Sequence, residues 1–160
     1  MRSYGCLMTQ TTTEVPVRVA VGDLAPHINK AMNALDAAAR NTRLEAGLLE
    51  LVRTRASQIN GCAYCVDTHT RDAVEGGDDP RRLYALPVWR ESPFFTPRER
   101  AALELTEAMT RLSQSPVGDD TITRTAEHFT EVELAELIWS ITVINAWNML
   151  GATARPWPLS

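Results

Sequence analysis

No apolar run in this 160-residue chain approaches the roughly 18 residues needed to cross a bilayer, so no membrane partner is expected. The opening residues MRSYGCLMTQTTTEV lack the continuous apolar stretch of an export signal, which leaves the reducing cytoplasm as the expected compartment. Lysine is nearly absent: Lys30 stands alone beside an otherwise all-arginine basic set, and no basic stripe forms. With 16 basic against 20 acidic residues the net charge is -4, so the phosphate backbone of nucleic acid is a poor partner. There is no Gly-rich phosphate loop, no pair of alternating strands and no repeat at a solenoid period. What is present, 44% apolar and 22% charged residues, suits one soluble globular domain that buries about two-thirds of its unfolded surface.

The chain reads as an arm over residues 1–20 followed by an all-α domain of about seven helices over 21–160. Pro26 suits a first helical position, and Ile28, Met32, Leu35 and Ala39 follow at helical spacing. Thr42-Arg43-Leu44-Glu45 has the form of a capping box for a second helix, whose apolar stripe is Leu44, Leu48, Leu51, Val52 and Ile59. Asn60-Gly61 interrupts, and a third helix runs from the cysteine pair to Gly76-Gly77. A short helix over Pro80–Glu91 is expected to break near Pro87. Thr96–Glu99 and Thr130–Glu133 form two more capping boxes, separated by a turn and a short helix to about Phe129. The last helix, ELAELIWSITVINAWNML, is apolar on nearly every side, which predicts burial in the core or in a subunit interface.

Chemistry concentrates between Glu50 and His69. Cysteine is scarce and odd in number: Cys6 lies in the arm, while Cys62 and Cys65 form a CxxC. Cys62 precedes Cys65 by three residues, which puts both sulfurs on one helix face within reach of a disulfide. His69 follows Cys65 by four and lies over it on the same face. Both cysteines fall at a helix start, where free N–H groups and the helix dipole favour a thiolate, and an imidazole one turn away can take its proton. A zinc site would need a fourth ligand beyond Cys62, Cys65 and His69. Thioredoxin and c-type haem readings fail, because no strand precedes the pair and Val66 follows Cys65. Glu50 either pairs with Arg53 at the surface or orients His69 as a proton relay, and spacing does not choose between them. Ser57 is open to a hydrogen bond with Glu50 or simply precedes the helix end. Tyr64 walls a pocket or packs, and Asn145, Trp147 and Asn148 read better as helix packing than as site lining. His27 and His128 have no partners in register.

The string RASQINGCAYCVDTHTRDA, with Glu50 twelve residues before Cys62, resembles the AhpD-like alkylhydroperoxidase branch of the carboxymuconolactone decarboxylase family. The WRESPFF, TPRERAALELTEAMT and INAWN segments are similar to that branch as well, so the resemblance covers roughly residues 20–155. It implies a compact all-helical fold, assembly as a homo-trimer or hexamer, and thiol-dependent reduction of hydrogen peroxide or organic hydroperoxides. By the same resemblance Glu50, Cys62, Cys65 and His69 match the redox and proton-relay residues. It implies neither metal nor flavin cofactor, only an external thiol reductant such as a lipoyl-bearing or thioredoxin-like protein. Its decarboxylase branch does not use this cysteine pair. Where relatives often carry Arg after the INxWN segment, this chain has Met149. A redox sensor built on the same CxxC and a lactone decarboxylase on the same scaffold are the alternative functions. The i+4 register with His69 makes Cys65 the attacking sulfur and Cys62 the resolving one.

Overall fold

Side-chain caps open four of the helices in the computed structural model, which describes residues 15–158. The elements are α1 (Val21–Leu24), α2 (Pro26–Arg40), α3 (Ala46–Asn60), α4 (Ala63–Glu75), α5 (Pro80–Ala85), a 3-10 segment (Leu86–Glu91), α6 (Pro97–Thr110), α7 (Asp119–Ala126) and α8 (Glu131–Ala154). No strand occurs among the described residues, and the all-α expectation holds. The expected helix over Pro80–Glu91 divides into α5 and the 3-10 segment, which has Pro87 near its start and a kink at Val88. Residues 1–14 of the expected arm, Cys6 among them, lie outside the described residues. Residues 15–20 run without helix, and the N–H groups of Arg18 and Val19 both donate to the Ala154 carbonyl.

Thr96 and Thr130 form complete capping boxes with Glu99 and Glu133, each pair exchanging side-chain and backbone hydrogen bonds. The third expected box, Thr42–Glu45, does not form. α3 begins at Ala46, Glu45 is its N-cap, and no side chain caps it. The Glu45 carboxylate instead meets Arg98 at 3.3 Å, and the Arg43 N–H donates to Glu136 of α8 at 2.9 Å. At the other end of α3, Gly61 adopts φ 66°, the left-handed conformation that ends the helix and turns the chain into α4.

α3 is the central helix, packed against α4, α6 and α8. One apolar cluster joins α3, α6 and α8 through Leu48, Val52, Leu105 and Ile141; a second joins α3 to α4, α5 and the 3-10 segment through Leu51, Ala73, Leu83 and Trp89. Each fully buried Leu or Val contributes about 1.5–3 kcal/mol relative to exposure. A charged knot supports the second cluster. Glu107 of α6 accepts from Arg55 Nε, Trp89 Nε1 and Arg90 Nη1 at 2.8, 3.0 and 2.6 Å.

The last helix divides its apolar surface. Leu137, Ile141, Val143 and Ile144 are buried, whereas Trp139 and Met149 are 58% and 72% exposed. Of the α2 stripe only Ala39 is buried, and Ile28 and Leu35 remain exposed beside Leu24 of α1. No helix among the described residues is long and apolar enough to cross a membrane.

Candidate functional site

The α3–Gly61–α4 turn delivers the chemistry. Cys62 is the N-cap of α4, and its sulfur accepts a hydrogen bond from the Cys65 N–H at 3.3 Å. The two cysteines are joined in a disulfide across a Cα–Cα distance of 5.3 Å, a separation that suits such a bridge. Both sulfurs are buried against α8 at Gly151. A Cβ placed there would come within 2.5 Å of Cys62 Sγ and 3.4 Å of Cys65 Sγ, so only glycine lets α8 pass this close.

His69, one turn beyond Cys65, is buried and turns its Nδ1 to Glu50 Oε2 at 2.7 Å. Burial pushes the Glu50 carboxyl up. The His69 hydrogen bond and the charges of His69, Arg53 and Arg40 outweigh it and hold the group below its ordinary value. Glu50 is therefore ionised at neutral pH and accepts from Nδ1–H, which leaves His69 Nε2 as the free proton-accepting position. Both sequence readings of Glu50 are realised together: it orients His69 and also pairs with Arg53, at 3.5 Å. The expected surface placement of the Arg53 pair is wrong, because Arg53 is only 2% exposed. Burial and the neighbouring Arg40 lower the Arg53 pKa, against the pull of Glu50. Ser57 does not touch Glu50; its hydroxyl donates to the Arg53 carbonyl and accepts from Asn148. Asn145 and Asn148 both accept from the Asn60 side chain, so these amides lock α8 onto the end of α3 as packing groups.

A cavity of about 210 Å³ opens over Cys65 and His69. Its polar wall is Asn33, Asp36 and Arg40 of α2 with Thr68 of α4, and its aromatic wall is Tyr64, Trp147 and Trp157. Sequence reasoning left Tyr64 between walling a pocket and packing, treated Trp147 as packing, and did not single out Trp157 or the α2 residues. Asp36 and Arg40 form a 2.8 Å ion pair at i,i+4, a signal legible in the sequence as a pair but not as part of a site. Nothing in the sequence places Trp157, which lies beyond the last helix.

Glu50, His69 and Asp72 could place three ligand atoms within 4.8 Å of one another. Glu50 already occupies His69 Nδ1, and Arg40 and Arg53 supply the positive charge beside these carboxylates, so the donor set suits a proton relay better than a cation. In this oxidised form the two sulfurs, joined in a disulfide, offer no thiolate to zinc.

The model of the carboxymuconolactone decarboxylase family matches residues 26–108. The uncharacterized protein YdfG of Bacillus subtilis is 37% identical over 133 residues, covering 83% of this chain and 90% of that one. The crystal structure of ATU0492 from Agrobacterium tumefaciens, a protein of unknown function and putative antioxidant defence protein AhpD, superposes with a TM-score of 0.86 at 32% identity. It covers 91% of this chain and 100% of that one. The debrominase Bmp8 shares the fold at 19% identity, with a TM-score of 0.75 over 83% of this chain and 72% of its own.

Proposed function

Because the chain belongs to the carboxymuconolactone decarboxylase family, we propose that it is a thiol-dependent peroxidase of the AhpD type, reducing hydrogen peroxide or organic hydroperoxides. One observation carries the reading: the Cys62–Cys65 disulfide lies beside a cavity that also holds His69, whose other nitrogen is bonded to ionised Glu50.

In the reduced protein, Cys65 gives its proton to His69 Nε2. The Cys65 thiolate attacks the distal oxygen of ROOH, an S–O bond forms and the O–O bond breaks. The departing RO⁻ takes the proton from the imidazolium and leaves as the alcohol, with Cys65 as sulfenic acid. Cys62 then attacks the Cys65 sulfur. Its thiol proton and the departing hydroxide leave as water, and the disulfide forms. An external dithiol exchanges with that disulfide, is itself oxidised, and restores both thiols. Cys65 lines the cavity and Cys62 does not, which supports Cys65 as the attacking sulfur. The N–H bond to Cys62 Sγ steadies the thiolate that leaves when a donor attacks Cys65.

No bound cofactor enters this cycle. A dithiol on a lipoyl-type arm is the proposed donor, and a thioredoxin-like protein is the alternative. The exposed apolar faces of α1–α2 and α8 support assembly as a homo-trimer or hexamer.

The test is turnover of a hydroperoxide by the purified protein with dihydrolipoamide as donor. Sustained cycling that Cys65→Ser abolishes is expected. A single stoichiometric oxidation would instead assign a redox sensor, and full activity of a Cys62→Ser/Cys65→Ser protein on a lactone would assign a decarboxylase.

A further inference from the structure

The two walls of the cavity over Cys65 differ in chemistry. Tyr64 and Trp157 stack with ring centroids 4.9 Å apart, and Trp157 meets Trp147 edge-on at 5.6 Å. Across from them stand Asn33, the Asp36–Arg40 pair and Thr68, whose buried hydroxyl has no hydrogen-bond partner among the described residues. Resting on the peroxidase reading, we propose that this cavity takes compact, uncharged, aryl-bearing hydroperoxides and that Trp157 sets this preference.

Three properties of the cavity lead there. Ring faces and edges reward a planar apolar substituent and give hydrogen peroxide nothing to bind. At about 210 Å³ the space is smaller than the roughly 300–1,000 Å³ that encloses drug-sized ligands, so it holds a ring and a peroxy group while a long acyl chain would run out into solvent. Arg40 is the lining residue that could meet a carboxylate, and it is already held by Asp36 at 2.8 Å and Glu50 at 3.5 Å. An anionic substrate would meet only an Arg40 already paired with Asp36 and Glu50, and would face the Asp36 carboxylate. The peroxy group then belongs at the polar end, with Thr68 and His69 beside Cys65.

Trp157 is placed for this role at the edge of the cavity, and it also borders a neighbouring cavity beside Ala63 and Arg155. It belongs to neither apolar cluster of the core. It lies on a strap that leaves α8 through Arg155, which adopts φ 45° and reverses the chain. Residues 18 and 19 tether that turn through the Ala154 carbonyl. The strap carries the indole back over Gly151 and against Tyr64.

The experiment compares kcat/KM for cumene hydroperoxide, tert-butyl hydroperoxide and hydrogen peroxide in the wild-type protein, Trp157→Ala and Trp157→Phe, with one donor throughout. The wild type should favour the cumyl substrate over the tert-butyl one by about tenfold. Trp157→Ala should erase that margin through KM and leave hydrogen peroxide within about twofold, while Trp157→Phe should recover most of it. A purely structural Trp157 would lower all three substrates together. That result, or a wild type indifferent to the three, overturns the proposal and leaves the peroxidase reading standing. If the wild type turns over none of them, the peroxidase reading fails. The cavity is then judged by calorimetry with 2-phenyl-2-propanol on the oxidised protein. Binding lost in Trp157→Ala upholds the aryl site; binding absent, or equal in both proteins, overturns it.

Discussion

Replacing Glu50 with Gln keeps the shape of the side chain and removes its charge, which strikes Arg53 and His69 most directly and also loosens Arg40, 3.5 Å away. Arg53 is 2% exposed and has Glu50 as its hydrogen-bonded counter-charge. Breaking a buried ion pair from one side costs about 3–5 kcal/mol, against about 1 kcal/mol or less for an exposed pair. Asp36 and Asp72 still act on Arg53 from further away, so the expected loss is at the low end, about 3 kcal/mol. The second partner is His69, which loses the carboxylate that fixes its Nδ1–H tautomer. Turnover should fall roughly tenfold to hundredfold, part of the 10²–10⁴ that a positioned base contributes. Urea unfolding at pH 7 and steady-state peroxide turnover read the two effects separately. A Glu50→Gln/Arg53→Met protein should regain stability, since the unpaired charge is gone, but not turnover. In the wild type the Glu50 carboxyl is held below its ordinary value, so the stability it contributes is present above the ordinary carboxylate range and is lost as pH falls through the lowered value. A Glu50→Gln protein that loses less than about 1 kcal/mol and keeps its turnover would refute both halves of this reasoning.

Cys62→Ser treated with peroxide should accumulate a sulfenic acid on Cys65, trapped by dimedone and located by mass spectrometry; label on Cys62 in Cys65→Ser, and none in the reverse variant, would exchange the two roles. Glu107 is pushed up by burial but pulled down to about 2 from 4.5 by its bonds to Arg90, Trp89 and Arg55. That difference is worth about 3 kcal/mol, present above pH about 4.5 and lost as pH falls towards 2, so urea midpoints should drop across that window in the wild type and stay flatter in Glu107→Gln. Gly151→Ala forces a methyl to within 2.5 Å of Cys62 Sγ and should destabilise the oxidised protein by about 1–3 kcal/mol, measured by thermal unfolding; an unchanged midpoint would mean that α8 can yield there. Light scattering should find an assembly larger than the 17.7 kDa monomer, and a stable monomer at micromolar concentration would show that the exposed faces of α2 and α8 need no partner copy.

The residues decided most where the interaction is local. Cys65 and His69 share one helix face because a four-residue spacing within a helix puts them there, Cys62 caps that helix, and the Thr96 and Thr130 boxes close on partners three positions away. Helical periodicity fixes the azimuth of a side chain on its own helix, but not which helix it will meet. The Glu50–His69 bond, 19 residues apart, depends on how α3 crosses α4. The burial of Arg53 came from the same packing, which encloses α3 on nearly every side. The Thr42–Glu45 box does not form because α3 begins only at Ala46 with Glu45 as its N-cap, and the Glu45 carboxylate lies toward Arg98 instead. The cavity over Cys65 is the extreme case. Its walls come from α2, α4, α8 and a strap beyond the last helix, so no window of the sequence contains it, and only the close approach allowed by Gly151 brings those walls together around the sulfur.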